Sequence, residues 1–329
     1  MKVGILQFFS WPDRRFPLDQ VYQRALQRIE IMDQTGYDSV WLAEHHFNTY
    51  SVCPSVHVMG TMVAARTKNL RIGMGVTLAA FYHPLRIAEE VALLDILSGG
   101  RVNWGAGRGF DATEFRAFGV TPETSYPRFR ESFEIVLQAW SQERVNYKGD
   151  FWTFEDIEVL PKPLQQPMPP VWLAASSPPA IEWAASKGHN IMLDPHSTHQ
   201  DIAGKRALYA SELARHGYSA EGREVPTVRF IAVAETDAEA ADIARGGAAW
   251  TVGEYANPGK RPGRSVAIPD NVDPVERYMN DIVIYGSPER VADKILELGE
   301  TMDLNYLLCG IFRHSSFLLF TEKVLPRLL

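Results

Sequence analysis

Val40-Trp41-Leu42-Ala43-Glu44-His45-His46-Phe47 is a short apolar run that stops at three titratable side chains and an aromatic. Its length, its β-branched and aromatic content and the preceding Gly36-Tyr37-Asp38 favour a buried strand. In a parallel barrel, Glu44, His45 and His46 would stand at the carboxyl end of that strand, where such barrels place their chemistry. The plain alternative is that two histidines close a strand and bond to backbone. Three titratable groups at one strand end weigh against it.

The same alternation of apolar run and amphipathic segment extends in both directions. Residues 2–8 read as the first strand and 17–36 as its helix, 38–43 as the second strand and 56–66 as a helix. A third strand is expected over 70–77, then a helix over 84–97 with Pro84 in its first turn and Gly99-Gly100 as its stop. The fourth strand is expected over 101–107, followed by a loop and a helix from 126 to about 142. Strands five to eight fall at 171–174, 190–194, 227–234 and 304–309, separated by helices. This pattern predicts an α/β fold, a single (β/α)8 TIM barrel over residues 1–329.

Two insertions break the rhythm. Around 144–170, two β-like arms flank Gly149-Asp150, which predicts a surface hairpin followed by a Pro-rich connection. Around 251–282 the chain is turn-rich and basic near Asn257-Pro258-Gly259-Lys260; so long a non-repetitive stretch is expected to be functional or disordered, and its Gly, Pro and basic residues suggest a mobile lid loop.

At 329 residues the chain accommodates one such barrel, which needs about 250. Hydrophobic residues make up 46% and charged residues 22%, the balance of an ordinary globular protein. A net charge of −7 gives no basis for nucleic-acid binding, and no apolar run approaches the roughly 20 residues of a membrane span. The start of the chain reads as a strand and not as a signal peptide, and two cysteines are too few for a disulfide framework. A cytoplasmic protein is expected.

Several polar groups fall just past predicted strands: Glu44-His45-His46, His83, Arg108, Ser176-Ser177, Asp194 and His196, and Arg313-His314. In a barrel these ends converge on one mouth. Ala175-Ser176-Ser177-Pro178-Pro179 suits a helix N-terminus with Ser177 as cap, either one whose free N–H groups face an anion or an ordinary capped helix. Arg108 on a neighbouring strand end would complete a phosphate clamp, or else pair with Glu114 or Asp111. Gly105-Ala106-Gly107-Arg108-Gly109 lacks dinucleotide-fingerprint spacing; its glycines, like Gly75 beside Val76, more plausibly let a flat ring approach the backbone. No metal motif and no serine-hydrolase elbow is present.

These residues, with His83-Pro84-Leu85-Arg86-Ile87-Ala88-Glu89-Glu90, Leu97-Ser98-Gly99-Gly100-Arg101, Glu182-Trp183-Ala184-Ala185 and Gly286-Ser287-Pro288-Glu289, carry a resemblance. Over nearly its whole length the chain resembles the bacterial luciferase-like family of flavin-dependent monooxygenases. The resemblance implies a barrel that takes reduced FMN as co-substrate, reacts it with O2 through a flavin peroxide and inserts one oxygen atom into a small organic substrate. By motif position it implies that His45 is catalytic, with His46 and Glu44 beside it. Arg108 would hold the FMN phosphate, facing the backbone of Ala175, Ser176 and Ser177, and Gly75-Val76 falls where the family often has a non-proline cis peptide under the flavin. It further implies a separate flavin reductase and a homodimer. Luciferase proper has a cysteine at the position of Gly107, so more room is expected there.

An aromatic mouth of Trp41, Phe47, Phe81, Tyr82, Trp104 and Phe110 would keep water from the reacting flavin. Two rivals remain: a deazaflavin-dependent oxidoreductase that transfers hydride without oxygen, and a non-catalytic flavin-binding subunit.

Overall fold

The computed structural model describes residues 1–255 and 271–329. Among these residues twelve strands form: β1 (Lys2–Gln7), β2 (Ser39–Leu42), β3 (Arg71–Met74), β4 (Thr77–Leu78), β5 (Val102–Gly107), β6 (Val145–Lys148), β7 (Thr153–Ile157), β8 (Val171–Ala174), β9 (Asn190–Met192), β10 (Pro226–Val233), β11 (Ile284–Gly286) and β12 (Tyr306–Ile311). Apart from the β6–β7 hairpin, they build one curled, wholly parallel sheet in the order β11-β10-β12-β1-β2-β3-β5-β8-β9, with β4 added on β5. Beyond the end of β9, Leu193 donates its N–H to Pro226 O at 2.8 Å and accepts from Val228 N at 3.2 Å, which ties β9 to β10.

The helices start where the sequence supplies caps. Ser55 accepts from Val58 N ahead of Val56–Arg66, and Thr121 and Thr198 head capping boxes before Pro122–Ser141 and His199–Arg215. Gly99 and Gly100 take φ of 70° and 79° after Pro84–Leu97, a left-handed step that glycine makes without a Cβ penalty. Most of the core lies between the sheet's outer face and these helices. The inner face is filled as well: Leu6, Trp41, Trp172, Met192, Val228, Tyr306 and Leu308 form a second buried cluster. Among the described residues no helix is long and apolar enough to cross a membrane.

Several expected boundaries move. The third strand divides at Gly75–Val76, whose peptide is cis, into β3 and β4. The eighth strand, β12, starts two residues later than expected. The helix expected from 126 begins at Pro122, and a further short helix, Ala112–Ala117, precedes it. β11 has no counterpart in the sequence reading; three residues are too short for a periodic signal. The hairpin at β6–β7 forms where expected. Of the expected lid, residues 251–255 belong to the helix Asp237–Tyr255 and Pro274–Asp281 is helical; residues 256–270 lie outside the described residues.

Candidate active site

β2 is shorter than the sequence suggests, ending at Leu42, so Glu44, His45 and His46 stand on a loop and not on the strand itself. Side-chain caps fold that loop tightly. Asn48 Oδ1 accepts from Tyr50 N at 2.9 Å and Ser51 N at 3.2 Å, and Ser51 Oγ donates to Ala43 O at 3.1 Å. His45 N donates to Cys53 O at 3.2 Å, and Phe47 adopts φ of 58°. The two imidazoles still part ways. His45 lies edge-on to Tyr50 and Phe110, with centroids at 5.4 and 5.9 Å, whereas His46 meets Phe118 at 4.8 Å. Glu44 is buried, its Oε1 3.2 Å from His46 Nε2. Burial and the Glu44 carboxylate together push the Tyr82 phenol far up.

Glu114 is the residue that sequence reasoning missed. Asp111 caps the helix Ala112–Ala117 by accepting from Thr113 N and Glu114 N, and this delivers Glu114 fully buried beside the histidines. Its Oε1 accepts from His46 N at 2.9 Å and lies 3.6 Å from His45 Nδ1, an electrostatic contact longer than a hydrogen bond. His45 Nδ1 and Glu114 Oε2 are buried without a hydrogen-bond partner. Unsatisfied polar atoms of this kind are costly to bury. Asp111-x-x-Glu114 is a helix-start pattern in the sequence, which locates the helix but not the carboxyl beside the histidines.

Arg108 follows β5 and is half-buried. Its Nη1 donates to Ser125 Oγ at 2.9 Å, and its guanidinium covers the Tyr126 ring at 4.1 Å and that of Phe115 at 5.5 Å. Burial draws its pKa down, with Tyr126 opposing. Neither Glu114 nor Asp111 pairs with it, and no carboxylate forms an ion pair with it among the described residues. The Tyr126 hydroxyl lies 3.4 Å from Ser177 Oγ, which joins the arginine to the segment expected to face it.

That segment needs one correction. Pro178 and Pro179 have no N–H, and the next two amides, of Ala180 and Ile181, both donate to Ser177 O at 3.0 Å. The helix start therefore offers less than a free first turn. The N–H groups without an acceptor among the described residues are those of Ser176 and Ser177 themselves. Ser176 Oγ donates to Asp194 Oδ2 at 2.9 Å, and Asp194 also accepts from His196 N, Ser197 N and Lys205 Nζ, each at 2.9 Å. Burial alone would raise the Asp194 pKa, but the Lys205 ammonium and these donors hold it far below the usual carboxylate range. Ala175 is anchored through its N–H to Met192 O at 3.3 Å.

Packing calls for glycine at positions 73, 105 and 107. A Cβ on Gly73 would strike the Trp41 ring at 2.2 Å and one on Gly105 would meet Met74 O at 2.0 Å, so the flat ring lying on this backbone is Trp41's indole. A Cβ on Gly107 would meet Val76 Cγ2 at 2.5 Å; the room expected there is filled by Val76. The aromatic mouth also shrinks. Trp41 and Trp104 are wholly buried, the latter stacked on Phe133, and Phe47 is 64% exposed. Helix Asp237–Tyr255 supplies substitutes: Tyr255 stacks on His196 at 3.6 Å and lies near Tyr50 and Phe110 at 4.9 and 5.6 Å. His83 faces Trp152 of the hairpin at 4.6 Å, and Arg313-His314 border a separate cavity.

The sequence profile of the luciferase-like monooxygenases matches residues 1–303. This chain belongs to that family. Among its luciferase-like relatives is the oxygenase component of the flavin-dependent trigonelline monooxygenase of Acinetobacter baylyi, 30% identical, the match covering 67% of this chain and 62% of that one. An uncharacterized protein of Sinorhizobium fredii is 38% identical over 52% of this chain and 50% of its own length. The matches thus span half to three-fifths of these relatives. Of the solved structures, the monooxygenase RslO1 from Streptomyces bottropensis superposes with a TM-score of 0.86 at 26% identity, covering 100% of both chains. An F420-dependent secondary alcohol dehydrogenase shares the luciferase-like fold, with a TM-score of 0.79 at 18% identity, covering 100% of this chain and 99% of its own.

Proposed function

We propose that this protein is an FMN-dependent monooxygenase that uses reduced FMN and O2 to insert one oxygen atom into a small organic substrate. The observation that carries the reading is the pairing of Arg108, which has no carboxylate partner among the described residues, with the open N–H groups of Ser176 and Ser177 across Tyr126. A half-buried arginine and two backbone donors suit a phosphate dianion. The donor set therefore fits FMN, with Arg108, Ala175, Ser176 and Ser177 at its phosphate and Gly75 and Val76 beside its ring. Reduced FMN, when bound, supplies the electrons that activate O2.

The chain's own residues supply position, dryness and a proton path. Glu114 steadies the loop through His46 N and faces His45 Nδ1, leaving His45 Nε2 to exchange a proton with the reacting group. Glu44 fixes the His46 ring. Tyr50, Phe110 and Tyr255 exclude water from that proton transfer.

The finer points follow from the same reading. We read the sheet as a (β/α)8 barrel of β1, β2, β3, β5, β8, β9, β10 and β12; the isolated bridge through Leu193, between β9 and β10, supports that reading. A separate reductase delivers reduced FMN, as the wording "oxygenase component" of the trigonelline relative suggests. Val58, Met62, Leu93 and Leu97 are exposed on two adjacent helices and suit burial in a homodimer. Both cysteines are free and buried, which suits the reducing cytoplasm.

The test is a substrate panel with reduced FMN under O2, scoring oxygenated product against hydrogen peroxide. Turnover with reduced deazaflavin in the absence of O2 would establish hydride transfer instead.

A further inference from the structure

Between the helix Leu18–Gln34, the end of β1, the helix Asp237–Tyr255 and the segment after β12 lies a cavity of about 540 Å³. That is ample for a drug-sized ligand. Phe16, Phe230, Trp250 and Phe312 give it apolar walls. Among the described residues its charged lining is all of one sign: Arg15, Arg24, Arg28 and Arg313, with His314 and neither Asp nor Glu.

These cations are poorly compensated. Arg15 is paired with Asp13, but Arg24, Arg28 and Arg313 have no ion-pair partner among the described residues. Arg24 donates to Gln20 Oε1 at 3.3 Å and lies over Phe16 at 4.8 Å. Arg28, half-buried, gives its Nε to His314 Nδ1 at 3.2 Å and lies over Phe317 at 5.5 Å. His314 Nδ1 is therefore an acceptor, and its proton sits on Nε2. Burial, more than the neighbouring Arg24, brings Arg28 down to about 10. Like charges gathered in a recess repel one another, and an entering anion relieves that repulsion.

We propose that this cavity binds an organic anion, a carboxylate carried on an apolar or aromatic body, at a site separate from Arg108. Arg24, Arg28 and Arg313 take the carboxylate, and the aromatic walls take the body. Tyr50 belongs both to this wall and to the surroundings of His45. The ligand is thus either a carboxylated substrate reaching toward His45 or an effector beside it; the recognition chemistry is the same. The proposal goes beyond the flavin reading and does not depend on it.

The experiment is calorimetric titration of the full-length, FMN-free protein with 2-naphthoate and with neutral 2-naphthamide. Naphthoate should bind at one saturable site, and naphthamide about ten- to a hundredfold more weakly, the scale of a charge-assisted hydrogen bond. Arg28→Ala should lose a similar factor. Arg24→Ala, on the exposed rim, gives an independent reading should Arg28→Ala fold poorly. Arg108→Ala should leave naphthoate affinity unchanged, as should saturating FMN. No naphthoate binding, equal binding of both probes, indifference to both arginine variants, or loss in Arg108→Ala would each overturn the proposal. Oxygenation of bound naphthoate under reduced FMN and O2 would mark a substrate, and its recovery unchanged an effector. Either outcome upholds the site; oxygenation would also count as a positive in the flavin test, and unchanged recovery leaves that test to the rest of the substrate panel.

Discussion

Oε1 of Glu114 lies 3.6 Å from Nδ1 of His45, with the Glu114 carboxyl fully buried. The imidazole comes from the loop after β2 and the carboxylate from the short helix after β5. They meet because β2, β3 and β5 lie side by side. The contact belongs to the fold and not to any local motif.

If this pair handles the proton of the reaction, His45→Ala should cut product formation by about 10²–10⁴-fold, the usual share of a general acid or base. FMN affinity should scarcely change, and oxygen uptake should continue as hydrogen peroxide. Glu114→Gln keeps an acceptor for His46 N and should give an intermediate loss. Full coupling of oxygen to product in His45→Ala would remove the histidine from the chemistry.

Arg108→Ala should weaken FMN binding by about 2–3 kcal/mol, as expected for a lost charge-assisted contact to phosphate. Riboflavin, which has no phosphate, should bind equally to both forms. Equal losses for the two ligands, measured by flavin fluorescence quenching, would put Arg108 away from the phosphate.

Gly107 and Val76 give a prediction about packing. With Val76 Cγ2 only 2.5 Å from where a Cβ would stand, Gly107→Ala should destabilise the fold by about 1–3 kcal/mol. Adding Val76→Ala should recover most of that loss. A double variant no more stable than Gly107→Ala alone, by urea unfolding, would show that the clash is relieved elsewhere.

Acid should weaken the fold through two histidines held neutral. Burial above all, then Lys187 and Arg223, lowers His189 to about 4; burial, then Arg229 and Lys294, lowers His199 to about 3. The unfolded chain takes up these protons near the ordinary 6.5, so their stabilisation is complete above that pH. It is lost as pH falls from 6.5 toward 4 and 3. For partly exposed rings the loss should be on the order of 1 kcal/mol each. Urea unfolding of His189→Phe should show a flatter pH dependence over that window. An unaltered slope would assign the acid sensitivity to other groups.

The parallel α/β order was legible because buried strands and capped helices announce themselves over windows of a few residues: Ser55, Thr198 and Ser287 all cap as their types suggest. So was the rim at Glu44 to His46, since an apolar run ending in titratable groups is a local feature. Glu114 and Tyr126 were not legible as site residues, for their roles arise only from what the sheet sets opposite them. Gly105 was read as bare backbone for the same reason, and only the fold reveals that Met74 and Trp41 occupy the space beside it. Pro178 and Pro179 pull the other way: their missing N–H groups were readable and limit the anion site.

Trp41, packed edge-on against Trp172 and Tyr306 at 5.4 and 6.4 Å, corks the axis of the sheet. Among the described residues the inner face is packed shut at this level. Under the proposed reaction, reactants and products would then share the mouth at the carboxyl ends of the strands, and each turnover would wait on the departure of the last.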